Sequence, residues 1–247
     1  MGTTFSGVIQ LRLPFVLGLR QPSLISISCR VVVVGLFSMK VLVLGATGSV
    51  GQHIIRLGIK RGHELTALAR NPKKLKSWES QVRVVKGDAL DEDAIDRAVL
   101  GQEAAIYAIG ATTFGRTTLF SKSTRILISS MERNRVKRLV CITGVGAGDT
   151  KGHGGFLYDR IVFPLITKRE CEDKDAQEAL IRQSSLDWII VRPAMFREGA
   201  VSRNHEVVSD LRGVTLSRIS RAEVGAFVLD QLTDGQYLRK AVFIGHW

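Results

Sequence analysis

Short apolar runs alternate with amphipathic stretches along most of the chain. Seven apolar runs predict strands: Lys40–Leu44, Glu64–Ala69, Val82–Lys86, Glu103–Ile109, Arg138–Thr143, Leu186–Val191 and Ala241–Ile244. Stretches of helical periodicity between them predict helices: Val50–Ile59, Lys74–Ser80, Asp91–Leu100, Thr118–Asn134, Arg169–Gln183 and Arg221–Leu232. Because strands that alternate with helices form βαβ units, we predict an α/β fold: a single doubly wound, mostly parallel sheet with helices on both faces.

Two segments interrupt this alternation, at about residues 144–168 and 194–217. Both follow the carboxyl ends of predicted strands, where ligands bind in open α/β sheets. We therefore expect them to be the substrate loops of one domain that spans residues 39–247.

Residues 1–38 do not continue the pattern. They are apolar and basic and contain no acidic residue, and Met39 stands directly before the first predicted strand. We expect this extension to lie outside the fold, either as a targeting segment or as sequence upstream of a true start at Met39.

A glycine-rich turn, GATGSVG, follows the first predicted strand and opens the first helix. Gly45 permits a tight turn, Gly48 lets a pyrophosphate approach the backbone, and Gly51 allows the helix to pack closely on the strand. The helix N-terminus then offers free N–H groups and a partial positive charge to the phosphates. The turn therefore predicts a dinucleotide site of the Rossmann type; the alternative is a βα turn that only needs glycine.

The second predicted strand ends in Arg70, 19 residues after Gly51, and Lys73 and Lys74 follow. Enzymes that select NAD usually place Asp or Glu near this position to bind the ribose 2′-hydroxyl. A guanidinium can instead bind a phosphate with two hydrogen bonds. We therefore predict NADP(H) in preference to NAD(H); the alternative is a solvated basic loop.

The chain has a formal charge of +12 and only three cysteines. A basic surface suits phosphorylated or carboxylate ligands, but there is no nucleic-acid motif or long Lys/Arg run, so we expect no nucleic-acid partner. The apolar run at 31–37 is too short to span a bilayer, so we expect no membrane partner.

The cysteines and histidines show no metal-ligand spacing. We predict no metal site and a cytoplasmic location, or an organelle if residues 1–38 are a transit peptide. The oligomeric state is not predicted.

The motifs together resemble the atypical short-chain dehydrogenase/reductases. The nearest group is the NAD(P)H-binding one that includes flavin/biliverdin-IXβ reductases and nitrogen-metabolite-repressor-like proteins. The resemblance covers residues 39–246 and rests on GATGSVG, on a Gly-Asp pair after the third strand, on AIGA after the fourth and on SSLDWIIVRP at the sixth. It implies an NAD(P)H-dependent oxidoreductase with a Rossmann fold.

The resemblance also implies which residues hold the adenosine diphosphate part of the cofactor. The pyrophosphate residues would be Gly45, Thr47, Gly48, Ser49, Val50 and Gly51. Arg70 would meet the 2′-phosphate, and Asp88 and Ala89 would contact the adenine. The alternative for Asp88 is a turn residue.

For the nicotinamide half, the resemblance implies a second group of residues. Gly110 and Ala111 would lie along the nicotinamide ribose, and Thr143 would end the fifth strand near the nicotinamide. Arg192 and Pro193 would border the substrate cleft.

The catalytic motif of the classical members is incomplete in this chain. Those members use Ser, Tyr and a Lys four residues after the Tyr, whose ammonium lowers the pKa of the phenol. Thr143 stands where the Ser would, and Tyr158 follows 15 residues later, but Val162 occupies the Lys position. Thr143, Tyr158 and Lys174 are therefore the candidate catalytic residues. Tyr158 could instead be a packing residue, and Lys174 a surface charge paired with a neighbouring carboxylate.

Without a complete Ser-Tyr-Lys motif, the chain lacks a dedicated proton donor. This favours an acceptor that does not need one. Hydride transfer is the chemistry of the cofactor, and a flavin or tetrapyrrole can take its proton from solvent. We therefore expect an NADPH-dependent reductase of a conjugated acceptor: flavin, tetrapyrrole or quinone-like. A non-catalytic NADP-binding redox sensor stays open as an alternative. A nucleotide-sugar epimerase or dehydratase is disfavoured by the absent Tyr-x-x-x-Lys motif and the short substrate region.

Overall fold

A computed structural model describes residues 38–110, 117–148, 168–202, 204–212 and 214–247. The strands in this part of the chain are β1 (Lys40–Leu44), β2 (Glu64–Ala69), β3 (Val82–Lys86), β4 (Ala104–Tyr107), β5 (Arg138–Ile142), β6 (Asp187–Pro193), β7 (Met195–Arg197), β8 (Glu206–Val208), β9 (Arg218–Ser220) and β10 (Ala241–Gly245). The helices are α1 (Ser49–Lys60), α2 (Glu92–Val99), α3 (Leu119–Arg133), α4 (Lys168–Gln183) and α5 (Arg221–Asp230), with a 3₁₀ helix at Pro72–Trp78.

Eight strands form one sheet in the order β3-β2-β1-β4-β5-β6-β10-β8. Neighbouring strands are parallel except for β10 and β8, which are antiparallel. After β1 the chain adds β2 and β3 on one side, and it then crosses to add β4 on the other. This reversal between β1 and β4 opens a crevice at the carboxyl ends of the strands, where ligands bind. Strands β7 and β9 form a separate parallel pair.

The sheet is buried on both faces, as its apolar strands predict. Val41 and Val43 of β1 belong to the same buried cluster as Ile54 of α1. Leu42, which points to the opposite face, clusters with Leu127 of α3. Helices therefore cover both faces, and the predicted doubly wound fold is confirmed.

All seven predicted strands occur, and every predicted end lies within two residues of the observed one. The helix predicted at Lys74–Ser80 is instead the 3₁₀ helix, which Pro72 begins and which the Asn71 side chain caps by accepting from the Lys73 amide. The three-residue strands β7, β8 and β9 were not predicted. Their residues are mostly exposed or half-buried, so they carry little periodic signal.

Several predictions fall on residues that are not described. These are the N-terminal extension up to residue 37, the larger part of the first substrate loop at 149–167, and the individual residues Ala111 and Tyr158. The assignment of residues 1–38 to an extension outside the fold therefore stays a prediction.

Candidate active site

A cleft opens at the carboxyl ends of β1 to β4, at the point where the strand order reverses. Its walls are the turn after β1, the ends of β2, β3 and β4, and the start of α3; the lining residues are Leu44, Gly45, Thr47, Gly48, Leu68, Ala69, Arg70, Gly87, Asp88, Ala89, Ala108, Ile109, Gly110 and Leu119. Seven of the predicted cofactor residues are among them: Gly45, Thr47, Gly48, Arg70, Asp88, Ala89 and Gly110.

The glycine turn brings three stretches of backbone into direct contact. Gly45 has φ +81°, and a Cβ there would lie 2.4 Å from the carbonyl oxygen of Ala108. The Gly48 amide donates to the Gly45 oxygen over 2.9 Å. A Cβ on Gly51 would lie 2.1 Å from that same oxygen. These contacts leave no room for side chains at Gly45 and Gly51, and they seat α1 directly on the end of β1.

The N-terminus of α1 carries no acidic side chain that would compete with a bound anion. Its N-cap is Gly48, no side-chain hydrogen bond caps the first turn, and that turn contains no acidic residue. Ser49 is exposed, whereas Val50 and Gly51 are buried beneath it. The amides of the first turn, with the positive end of the helix dipole, therefore favour a phosphate at the glycine-turn end of the cleft.

Arg70 and Asp88 follow the neighbouring strands β2 and β3 and also line the cleft. Arg70 Nε is 3.9 Å from Asp88 Oδ2, and the Arg70 side chain is 71% exposed. Asp88 Oδ1 also accepts from the Leu90 amide over 2.9 Å. Asp88 is thus a turn residue that also lines the cleft, and its contact with the adenine stays a prediction.

A second group of predicted residues lies at the ends of β5 and β6 and does not line this cleft. The Thr143 hydroxyl donates to Glu178 Oε1 over 2.8 Å. Arg192 donates to the same carboxylate from Nε, over 2.9 Å, and from Nη2, over 2.6 Å. Pro193 is buried beside them, and its carbonyl accepts from the Val145 amide. The structure therefore engages Thr143 and Arg192 in a buried network rather than presenting them to the cofactor cleft.

Lys174 of α4 is paired with a neighbouring carboxylate, as the alternative from the sequence has it, but its side chain is mostly buried. Its Nζ lies 2.7 Å from Glu170 Oε1, and the Lys174 side chain is only 14% exposed. The same Nζ lies 5.2 Å from the centre of the Phe120 ring and 3.7 Å from where a Cβ on Gly144 would be. The ammonium thus stands beside the glycine-rich stretch that follows β5.

Glu178, the centre of the buried network, was not identified from the sequence. Its signal is the four-residue spacing of Glu170, Lys174 and Glu178, which places all three on one face of α4. Burial raises the pKa of the neighbouring Cys141 thiol, and the Glu178 carboxylate raises it further while Lys174 opposes it. Cys141 is therefore a neutral core residue.

Within the described ranges, no group of three or more His, Cys, Asp or Glu side chains is arranged to hold a metal ion. None of the helices described is both long and apolar enough to cross a bilayer. The cytoplasmic or organellar location stays a prediction.

Comparison with known proteins agrees with this geometry. A family model described as NAD(P)H-binding matches residues 45–235. The chain is 28% identical to the uncharacterized protein YwnB of Bacillus subtilis, over 78% of the chain and 92% of YwnB. It is 26% identical to the (4-alkanoyl-5-oxo-2,5-dihydrofuran-3-yl)methyl phosphate reductase of Streptomyces griseus, over 78% of the chain and 63% of that enzyme. Matches to three longer curated relatives span 33–47% of their length.

Solved structures support the same fold. ChuY from Escherichia coli O157:H7, described as an anaerobillin reductase, superposes with a TM-score of 0.70 at 20% identity, over 84% of this chain and 97% of ChuY. At that identity the likeness shows the fold. The family match includes most of the sequence and contains the whole glycine turn, Arg70 and Asp88. The chain therefore belongs to the NAD(P)H-binding family, and its fold is the Rossmann fold.

Proposed function

We propose that this protein is an NADPH-dependent reductase of a conjugated acceptor such as a flavin, a tetrapyrrole or a quinone-like molecule. One observation carries the proposal: the hydroxyl of Thr143, which stands where classical members have their Ser, donates its hydrogen bond to Glu178. A hydroxyl engaged in this way does not donate to a substrate carbonyl. An acceptor that spreads its charge over a conjugated system, and takes a proton from water, needs no such donor.

The glycine turn fits a nicotinamide dinucleotide. Gly45 and Gly51 make backbone contacts that a Cβ would prevent, and these contacts place the first turn of α1 at the end of the cleft. The amides of Thr47 to Gly51 would hold the pyrophosphate, and Gly110, at the end of β4, would lie along the nicotinamide ribose. When bound, the cofactor supplies the hydride.

Arg70 supports a preference for NADP(H) over NAD(H). Its guanidinium is mostly exposed at the edge of the cleft, and its ion pair with Asp88 is long. Exposed pairs of this kind contribute about 0–1 kcal/mol. A 2′-phosphate offers charge-assisted, bidentate hydrogen bonds, which are roughly twice as strong as neutral ones, so Arg70 would turn toward it.

The relatives support a reductase of such acceptors. The Streptomyces griseus relative is named as the reductase of a 5-oxo-2,5-dihydrofuran, a ring with a carbonyl conjugated to a double bond. ChuY shows that the same fold serves an anaerobillin reductase. The name of the Streptomyces griseus relative thus describes a conjugated carbonyl rather than a simple alcohol or sugar.

The test is reduction of a series of flavins, biliverdins and quinones, followed by the loss of NADPH absorbance, with NADH measured in parallel. We expect turnover with at least one acceptor class, and a kcat/KM at least about tenfold higher with NADPH than with NADH, a factor of ten being about 1.4 kcal/mol. Tight NADPH binding with no turnover of any acceptor would favour the redox-sensor alternative. Absence of affinity for either nicotinamide dinucleotide would refute both functions.

A further inference from the structure

We propose that Glu178 is a positioning residue that fixes the glycine-rich loop after β5 through Arg192 and Thr143, and thereby sets the place of the acceptor. The loop, residues Gly144–Gly148, has the sequence GVGAG. The inference rests on the proposed function, because it takes the acceptor to bind outside the carboxyl end of β5.

The first step is the buried ion pair. The Glu178 side chain is 4% exposed and that of Arg192 is 2% exposed, and two hydrogen bonds join the carboxylate to the guanidinium fork. Arg182 Nη2 also lies 3.6 Å from Glu178 Oε2. A buried pair of this kind is weak evidence for stability, because well-packed apolar residues often replace it without loss. A role in fixing one conformation is therefore the better explanation of the pair.

The second step is the loop itself. Its glycines have φ of +145° at Gly144, +90° at Gly146 and +58° at Gly148. Glycine adopts such angles readily but does not prefer them, so the surrounding structure must select this conformation. The Val145 amide donates to the carbonyl of Pro193, and the Gly148 amide donates to Asp175 Oδ1 over 2.6 Å.

The third step joins the pair to the loop. A Cβ on Gly148 would lie 2.1 Å from Arg192 Nη2, so the guanidinium packs directly on the Gly148 backbone. The Glu178 carboxylate accepts from that guanidinium through Oε2. Through Oε1 it accepts from the hydroxyl of Thr143, the residue directly before the loop. One carboxylate of α4 thus contacts groups at both ends of the loop, while Asp175 of the same helix binds the Gly148 amide directly.

The experiment is Glu178→Gln, which keeps the shape of the side chain and removes its charge. We expect the KM for the acceptor to rise at least about tenfold, because small misplacements in a site cost up to about 100-fold in rate. The Kd for NADPH should stay within about twofold, since the cofactor cleft has no contact with Glu178 among its lining residues. Glu172→Gln is the matched control, because Glu172 is an exposed carboxylate on the same helix; it should change neither value.

A double variant separates positioning from stability. In Glu178→Met with Arg192→Met, apolar side chains replace the pair, so we expect the melting temperature to recover relative to E178Q while the acceptor KM stays high. Recovery of both values would show that the pair only supports the fold, and it would overturn the inference. An acceptor KM unchanged in E178Q would do the same.

A readout without turnover distinguishes this inference from the proposed function. The amide NMR resonances of Gly144, Gly146 and Gly148 should move in E178Q and should not move in E172Q. If the wild-type protein reduces no acceptor, the proposed function fails while this measurement still stands. Glycine resonances identical to those of the wild type would overturn the positioning role whatever the activity.

Discussion

Replacement of Gly51 by Ala tests whether close packing of α1 on β1 makes the cofactor site. The added Cβ would lie 2.1 Å from the Gly45 oxygen and 2.8 Å from the Ala46 Cα, both backbone atoms that cannot rotate away. Ordinary contacts begin near 3.4 Å, so the start of α1 would have to move by about 1.3 Å. Gly58→Ala is the matched control: it lies on the same helix, and its Cβ would meet only the end of the Leu65 side chain, at 3.0 Å.

The two substitutions should change the free energy of folding in opposite directions and by different amounts. Overpacking costs about 1–3 kcal/mol, and Ala in place of Gly returns about 1 kcal/mol of helix propensity, so Gly51→Ala should lose about 1 kcal/mol of folding free energy. Displaced amides would lose about 2 kcal/mol of charge-assisted hydrogen bonding to the phosphates, or about 30-fold in NADPH affinity. Gly58→Ala keeps the propensity gain without moving α1, so its NADPH affinity should be unchanged.

Calorimetric titration with NADPH measures the affinities, and urea unfolding measures the stabilities. The expected pattern is a large rise in Kd for Gly51→Ala and a Kd within about twofold of the wild type for Gly58→Ala, since RT ln 2 is well below 1 kcal/mol. If the two variants bound NADPH equally well, the backbone contact between Gly45 and Gly51 would not be what forms the phosphate site.

Three further predictions follow from single side chains. Arg70→Asp should weaken NADPH at least about tenfold more than NADH, measured by titration with each; equal losses would refute the phosphate role of Arg70. Thr143→Val should lower kcat less than about fivefold in the reductase assay, because its proton is engaged by Glu178; a loss of about 100-fold, typical of a general acid, would make Thr143 catalytic. Burial lowers the pKa of both His53 and His63 from the usual 6.5, and nearby arginines add to the shift. The folded state therefore favours neutral imidazoles, so the urea midpoint should be constant above pH 7 and fall as the pH drops below about 6.5. His63→Gln should reduce this slope, and an unchanged slope would contradict the assignment.

The fold could be predicted from the sequence where the signal was local. Strands β1, β2 and β5 are buried on both faces and appear as continuous apolar runs, and helices α1 and α2 carry their own periodicity. Strands β7, β8 and β9 could not be predicted, because three residues carry no periodic signal and their pairing is decided by distant partners. Met195 of β7, for example, pairs with Arg218 of β9.

The candidate site divides in the same way. The glycine turn is one contiguous segment, and its spacing already determines which backbone groups meet. The roles assigned to Thr143 and Arg192 came from a family motif, which identifies a strand end but not the partner of a side chain. That partner, Glu178, is 35 residues from Thr143 and 14 from Arg192, and only the packing of α4 brings the three together.

This division has a functional consequence. The phosphate end of the cleft consists of backbone amides in one turn, so its binding responds to an added Cβ and little to side-chain chemistry elsewhere. The region after β5 is held by a buried carboxylate from α4, so it responds to charge and little to the glycine turn. Cofactor affinity and acceptor affinity should therefore vary independently, with variants of α4 altering the KM for the acceptor and variants of the turn altering the Kd for NADPH. A variant in one region that changed both quantities equally would show that the two ends of the site move together. The site would then be one rigid unit, and the two-part site argued from these contacts would be wrong.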